Sequence, residues 1–316
     1  MHLRILGSAA GGGFPQWNCG CANCAGVRQN SVRQTRVRQT GASQNNFNGK
    51  ARTQAQLALS ADGSLWFLAG ASPDLRSQIE ATRNLHPRSR RDSPIAGIVL
   101  ASADLDHVLG LLLLREFQPL RVYATPSILE ILRDENSMFQ MLNRVDPQAV
   151  WSPINMAASF PLLDAAGKDS GLTCEAYALT GRYPKYVRRK NLKPTEAIAA
   201  LFFTHGSKRI AYLPAVGRLD DALISKLDGA DVLLFDGTFW SDDELIRIDS
   251  TSETAHQMGH IPVEESLSLL KNVNVGKRLY IHINNTNPIL NESSREHRAV
   301  RAAGWQVAED NWHLQL

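Results

Sequence analysis

The sequence has no long apolar run. No window approaches the roughly 18 apolar residues of a membrane-crossing helix, and the start, Met1 to Gly7, leads into no apolar stretch ending at a cleavage site. The chain therefore reads as neither membrane-spanning nor exported, and a cytoplasmic location is expected. It has little imbalance of charge. Thirty-four Lys and Arg against 31 Asp and Glu leave a net +3, too small to argue for a nucleic-acid partner. Cysteine is scarce, with four in 316 residues, and three of them fall within six positions. Such crowding does not suit disulfides, and a chain without an export signal belongs in a reducing compartment. Acidic residues are missing altogether from about 26 to 50, where Val-Arg-Gln recurs from Val27, Val32 and Val37. Its Asn, Gln and Ser content reads as an exposed polar loop or insertion carrying Arg28, Arg33, Arg36 and Arg38.

What is present is a globular composition, 43% hydrophobic and 21% charged, in a chain long enough for one large α/β domain over residues 1 to 316. Apolar runs and turn signals alternate along it. Strands are expected at 2–7, 56–60, 65–68, 97–100, 121–124, 173–179, 197–204, 209–213, 232–235 and 278–283. Ala61-Asp62-Gly63 reads as a hairpin turn. Ser72-Pro73-Asp74-Leu75 reads as a helix start, with Ser72 at the N-cap and Pro73 at the first helical position. Thr125-Pro126 opens another helix. Ile261 to Glu265 begins a third, with Leu267, Leu269 and Leu270 on its apolar face.

Chemistry concentrates in two places. Cys19-Gly-Cys21-Ala-Asn-Cys24 offers three thiolates, a set that suits a tetrahedral structural zinc with a fourth ligand from elsewhere; a loop with spare cysteines is the plainer alternative. Cys174, in an apolar run, reads as a core residue. The second place is Leu100-Ala-Ser102-Ala-Asp104-Leu-Asp106-His107-Val-Leu-Gly110. Here a buried strand gives way to an apolar helix start, and three ionisable side chains crowd the junction. Carboxylates at that density are costly unless something positive pairs with them.

The stretch from Ser102 to His107 resembles the metallo-β-lactamase superfamily signature H-x-H-x-D-H. In that superfamily the first two His hold one metal and the Asp-His pair a second. Ser102 and Asp104 stand at the first two His positions, while Asp106 and His107 are unchanged. The resemblance implies a four-layer αββα sandwich and locates the other ligand positions. The His expected after the middle of the chain is missing from Ala178 to Pro184. Ala215 takes the place of the bridging Asp, and His282 supplies the last His. One site is thus dismantled, and Asp106, His107 and His282 survive. Two His and one carboxylate suit non-haem Fe(II), with positions left open for O2 and substrate. A hydrolytic site would keep two metals about 3.5–4 Å apart. A decayed site that binds no metal is the alternative. His260, before a late helix, is expected to be a base or substrate contact, or else a surface cap. Asp236 is expected to orient a ligand His or to hold a strand-end turn. Asp104 is a third candidate for the reaction.

Further motifs sharpen the resemblance: Leu6 to Cys19, Ser72 to Arg76, Tyr212 to Gly217, Phe235 to Phe239, Met258-Gly-His260 and His282 to Pro288. Together they are similar to the coenzyme PQQ synthesis protein B family, over the whole chain except about 26 to 50. The resemblance implies a role in making pyrroloquinoline quinone (PQQ). The favoured activity is an Fe(II)-dependent oxygenase, with O2 as co-substrate, that hydroxylates the tyrosine ring of a Glu-Tyr cross-linked precursor. A soluble carrier taking PQQ or its precursor to the periplasm is the alternative, and a residual hydrolase a third. Partners would be the small precursor and other PQQ biosynthesis proteins, with neither nucleic acid nor membrane. Lys185, Arg188, Arg189 and Lys190 are candidates for the precursor's carboxylates, or simply a solvated charge run. Asn285 falls where some relatives with the same cysteine cluster place a His as fourth zinc ligand. Asn284, Asn285 and Asn287 are further candidates to fix His282 or cap the zinc.

Overall fold

The structure is a computed structural model and describes residues 1–35, 47–146 and 148–316, with residues 31–35 described as backbone only. Fourteen strands among them are β1 (His2–Gly7), β2 (Gln56–Ser60), β3 (Trp66–Ala69), β4 (Ile95–Val99), β5 (Leu120–Ala124), β6 (Ala149–Pro153), β7 (Ser159–Leu163), β8 (Asp169–Leu179), β9 (Ile198–His205), β10 (Lys208–Leu213), β11 (Val232–Asp236), β12 (Lys277–Ile281), β13 (Gln306–Val307) and β14 (His313–Gln315). They form two seven-stranded sheets, ordered β14-β1-β2-β3-β4-β5-β6 and β13-β12-β11-β10-β9-β8-β7. Each sheet is mixed. The run β3 to β6 is parallel in the first, and β10 to β13 in the second.

Side-chain alternation explains the layers. On β9, Ala199, Leu201 and Phe203 face the core between the sheets, where they meet Leu3, Leu57, Phe67 and Val99 of the first sheet. Ala200 and Phe202 point the other way, into a core shared with the helices Asp221–Leu227, Val263–Leu269 and Arg295–Ala302. The outer face of the first sheet packs Leu68, Ile98 and Val122 against Leu75, Leu111 and Ile128 of its own helical segments. Strands covered on both faces are continuously apolar, as buried parallel strands must be. Each fully buried Leu or Phe contributes about 1.5–3 kcal/mol. This is the expected αββα sandwich.

The expected strands are all present, with ends shifted by a few residues. The hairpin at Ala61 to Gly63 forms as read, with Gly63 at φ +83° and the Asp62 carboxylate accepting from Ser64 N at 2.8 Å. Thr125 caps the helix Pro126–Leu129 as expected. The helix expected from Ser72 starts later, at Leu75, because Ser72 Oγ instead accepts from Asp74 N at 2.9 Å in the turn before it. Leu269, expected on an apolar helix face, is exposed, while Leu270 is buried. The polar loop expected at about 26–50 is partly helix: Ala22–Thr35 coils with Cys24 and Val27 buried. Arg28 is held there by the carbonyls of Cys19 and Gln16. Arg36 and Arg38 lie outside the described residues, as does the side chain of Arg33.

Candidate metal centre

β4 delivers the motif. Beyond Val99 the chain crosses toward the second sheet, where Ala199 N donates to Ala101 O at 2.8 Å and Ser102 bridges Ile198. Asp104 is then the N-cap of the short helix Leu105–Val108. The helix is clamped by Ala71 N donating to His107 O at 2.7 Å and Gly110 N to Ala71 O at 2.8 Å. A side chain at Gly110 would meet Ser72 O at 2.2 Å, so only glycine allows this approach. From the second sheet, the adjacent parallel ends of β11 and β12 bring Asp236 and His282 together. His282 has φ +58°, a left-handed conformation that surrounding contacts must hold.

Asp106, His107 and His282 converge, with one potential ligand atom each lying within 4.8 Å of the others. His282 Nε2 is 3.0 Å from Asp106 Oδ2, and His107 Nε2 is 3.8 Å from the same oxygen. On its other side, His282 Nδ1 is 2.9 Å from Thr238 Oγ1, which is 2.6 Å from Asp236 Oδ1. The Thr238 hydroxyl gives its proton to the Asp236 carboxylate and accepts from His282 Nδ1. That fixes the tautomer and leaves the Nε2 lone pair facing Asp106. A lone pair and a carboxylate oxygen share 3.0 Å only with a proton or a cation between them. Burial opposes the imidazolium, but the Asp106 hydrogen bond and nearby carboxylates outweigh it and raise the His282 pKa. Burial likewise pushes the Asp106 carboxyl up, but His107 and His282 outweigh it and hold it below the usual carboxylate range. His107 has the opposite balance: burial lowers its pKa, and its Nδ1 is buried without a hydrogen-bond partner. An orphaned ring nitrogen beside a carboxylate and an anchored histidine is a donor set that fits a divalent cation.

Asp236 and His260 form the neighbouring layer. His260 Nδ1 lies 2.7 Å from Asp236 Oδ2, which also accepts from Val216 N at 2.8 Å. Burial raises the Asp236 pKa, but the charge and hydrogen bond of His260 outweigh it and keep the carboxyl ionised. Asp104 is near but separate. Its carboxylate accepts from Ser102 Oγ at 2.8 Å, and it is not in the Asp106–His107–His282 group. Burial, then the charge of Asp106, raises its pKa. Ala215 carries no donor and Ser102 is engaged with Asp104, so the dismantled half of the superfamily site has no ligand from either. Arg189 is ion-paired with Glu130 and Glu135, whereas Lys185, Arg188 and Lys190 are exposed. In the same segment Tyr186 donates its hydroxyl proton to Ala103 O.

The cysteines also converge. Cys19, Cys21 and Cys24 place their sulfurs within 4.8 Å of one another. Asn285 Nδ2 lies 3.1, 3.7 and 3.4 Å from them in that order. Burial raises the Cys24 thiol to about 11; Cys19 shifts the other way because hydrogen bonds from Cys21, Cys24 and Asn285 outweigh its burial. Cys174 is buried among core side chains, as expected. Thr238 and Asn23 were not singled out from the sequence. The one signal for Thr238 is that a buried Asp ending a strand needs donors close by; Asn23, between two cysteines, carries no signal.

The class follows from the sheets: a metallo-β-lactamase fold, with Asp106, His107 and His282 as a candidate metal centre. The beta-lactamase superfamily domain family matches residues 65–283. Coenzyme PQQ synthesis protein B of Methylobacterium sp. (strain 4-46) is 41% identical over the full length of both chains, and that of Gluconobacter oxydans (strain 621H) is 38% identical over 100% of this chain and 99% of its own. The 1.98-angstrom crystal structure of Zn(2+)-bound PqqB from Methylobacterium extorquens superposes with TM-score 0.86 at 39% identity, covering both chains fully. A diphosphatase of the PhnP family shares the fold at TM-score 0.65 and 18% identity, over 99% of this chain and 96% of its own. The chain belongs to the coenzyme PQQ synthesis protein B family. No helix among the described residues is long and apolar enough to cross a membrane.

Proposed function

We propose that this protein acts in PQQ biosynthesis as an Fe(II)-dependent hydroxylase of the tyrosine ring in a Glu-Tyr derived precursor. The observation that carries the reading is the convergence of Asp106, His107 and His282, while Ser102 and Ala215 stand where the superfamily's other metal would need a His and a bridging Asp. A dinuclear hydrolase needs both halves to clamp two oxygens. Two histidines and one carboxylate with open positions suit Fe(II). Bound there, iron would supply activation of O2, the co-substrate.

The chain's own residues then have separate tasks. Asp106, His107 and His282 hold the metal. Thr238 holds the His282 tautomer and Asp236 holds Thr238. His260, anchored through Nδ1 on Asp236, keeps Nε2 free to take the phenol proton. Asp104, protonated more readily than an ordinary carboxyl, can return a proton at the same edge. Exposed Lys185, Arg188 and Lys190 attract the carboxylates of the precursor as it approaches. Zinc is assigned to the cysteine cluster as a structural ion.

The test is anaerobic loading with Fe(II), addition of a Glu-Tyr cross-linked dipeptide with a reductant, then O2, followed by mass. A gain of oxygen that disappears in His282→Ala supports the hydroxylase. Tight binding of iron and dipeptide with no oxygen incorporated would replace it with a carrier.

A further inference from the structure

His282 and Asn285 are three positions apart, yet one belongs to the Asp106–His107–His282 group and the other faces the three cysteine sulfurs. The short segment between them is tied down at every step. Ile283 N donates to Ser8 O at 3.0 Å and Ala10 N to Ile283 O at 2.9 Å. Asn284 N donates to Thr238 O at 3.1 Å, and the wholly buried Asn287 donates through Nδ2 to Gly237 O at 2.9 Å. Asn23, lying between Cys21 and Cys24, donates through Nδ2 to Asn285 O at 3.1 Å and Asn287 O at 3.0 Å. Thr238, whose carbonyl accepts from Asn284 N, is the residue whose hydroxyl fixes His282.

We propose that the cysteine cluster is a positioning site for the Asp106–His107–His282 centre, coupled to it through Asn23, residues 283–287 and Thr238. A thiophilic cation on Cys19, Cys21 and Cys24 clamps the turn that carries Asn23. Asn285 joins it by turning its carboxamide so that Oδ1, rather than Nδ2, faces the sulfurs. The clamped turn holds residues 285 and 287 by their carbonyls and keeps His282 in its left-handed conformation, with Nε2 on Asp106. Without the cation that clamp is lost, the turn rests on hydrogen bonds such as those of Asn23 and Arg28, and His282 is freer to relax. Asn23 is a positioning residue in this scheme and touches neither metal.

The proposal rests on the metal-holding reading of both clusters, and the test separates the two. Co(II) is titrated into the full-length protein with zinc on the cysteines, and into protein stripped of zinc. Cobalt on thiolates gives an intense charge-transfer band, and cobalt on His and carboxylate gives only weak ligand-field bands, so the two sites are read independently. Removing an outer partner of a metal ligand typically costs 10–100-fold in affinity, and a loss of about that size is expected at the His-carboxylate site in Asn23→Ala with its zinc retained. The wild type, which needs no substitution, gives a second readout: a slowly exchanging His282 Nδ1 proton seen by NMR with zinc bound and lost when zinc is removed. Unchanged Co(II) affinity in Asn23→Ala, or an unchanged His282 proton in the zinc-free protein, would overturn the coupling. A zinc-loaded wild type that takes no Co(II) at Asp106, His107 and His282 would instead overturn the metal-centre reading beneath it.

Discussion

The rings of His260 and His282 stack, with centroids 5.7 Å apart and planes 17° from parallel. Both are anchored through Nδ1 on one carboxylate, His260 directly on Asp236 and His282 by way of Thr238. Their Nε2 atoms are therefore turned away from Asp236, and that of His282 meets Asp106. One ring is committed to Asp106, and under the proposed function the other is left for a proton.

That division predicts two different failures. His282→Ala should lose its metal, weakening binding by more than the ~10–100-fold typical of an outer partner. His260→Gln should keep its metal and lose about 10²–10⁴ in turnover, the usual worth of a general base. Metal analysis alongside single-turnover mass spectrometry separates them; parallel loss of metal in both variants would refute the division.

Thr238→Val keeps the shape of the side chain and removes its hydroxyl. With no acceptor for Nδ1, His282 is free to adopt the other tautomer. Metal affinity should fall by roughly 10–100-fold, with melting temperature changed far less. Isothermal titration with Fe(II) under argon would show it.

Glu244 supplies a pH prediction. Burial, only partly offset by Thr286 and Trp240 N, pushes its carboxyl up from 4.5 to about 7. The folded state thus binds this proton more tightly than the unfolded chain. Its contribution to stability is complete below pH 4.5 and is lost as pH rises through about 7. Glu244→Gln should remove that slope and be more stable than the wild type above pH 7 by on the order of a few kcal/mol. Urea midpoints across pH 5 to 9 test this.

Asn285→His should tighten zinc on the cysteines. Imidazole nitrogen is a normal fourth partner for three thiolates, whereas a carboxamide is a poor one. Zinc release to a chelator should be slower in the variant than in the wild type. Faster release would show that the imidazole does not reach the ion.

The sequence announced this site unevenly, for physical reasons. Asp106 and His107 were legible because charge at the end of a buried strand is too costly to be incidental. His282 needed the family pattern, since one His after an apolar strand carries no signature of its own. The strand β2 was legible from its alternation and β10 from its apolar run. β6 and β7 were not, because their residues are largely half-buried or exposed and each contains a proline. The helix Ala22–Thr35 was hidden by its composition: Asn, Gln, Ser and Arg give no apolar stripe. Its packing comes instead from Cys24, Val27 and the close seat of Gly26 against Phe47, where a side chain on Gly26 would come within 2.5 Å.

All the side chains of the centre lie at or beyond the carboxyl ends of parallel strands: β4 on one sheet, β11 and β12 on the other. The opposite rim carries none of them. There the turn joining β9 to β10 runs through Gly206, at φ +58°, with open space where a side chain would sit. A peptide tag or fluorescent reporter spliced into that turn would sit a full strand length from the chemistry. It would give a handle for watching metal uptake without touching a residue that takes part in it.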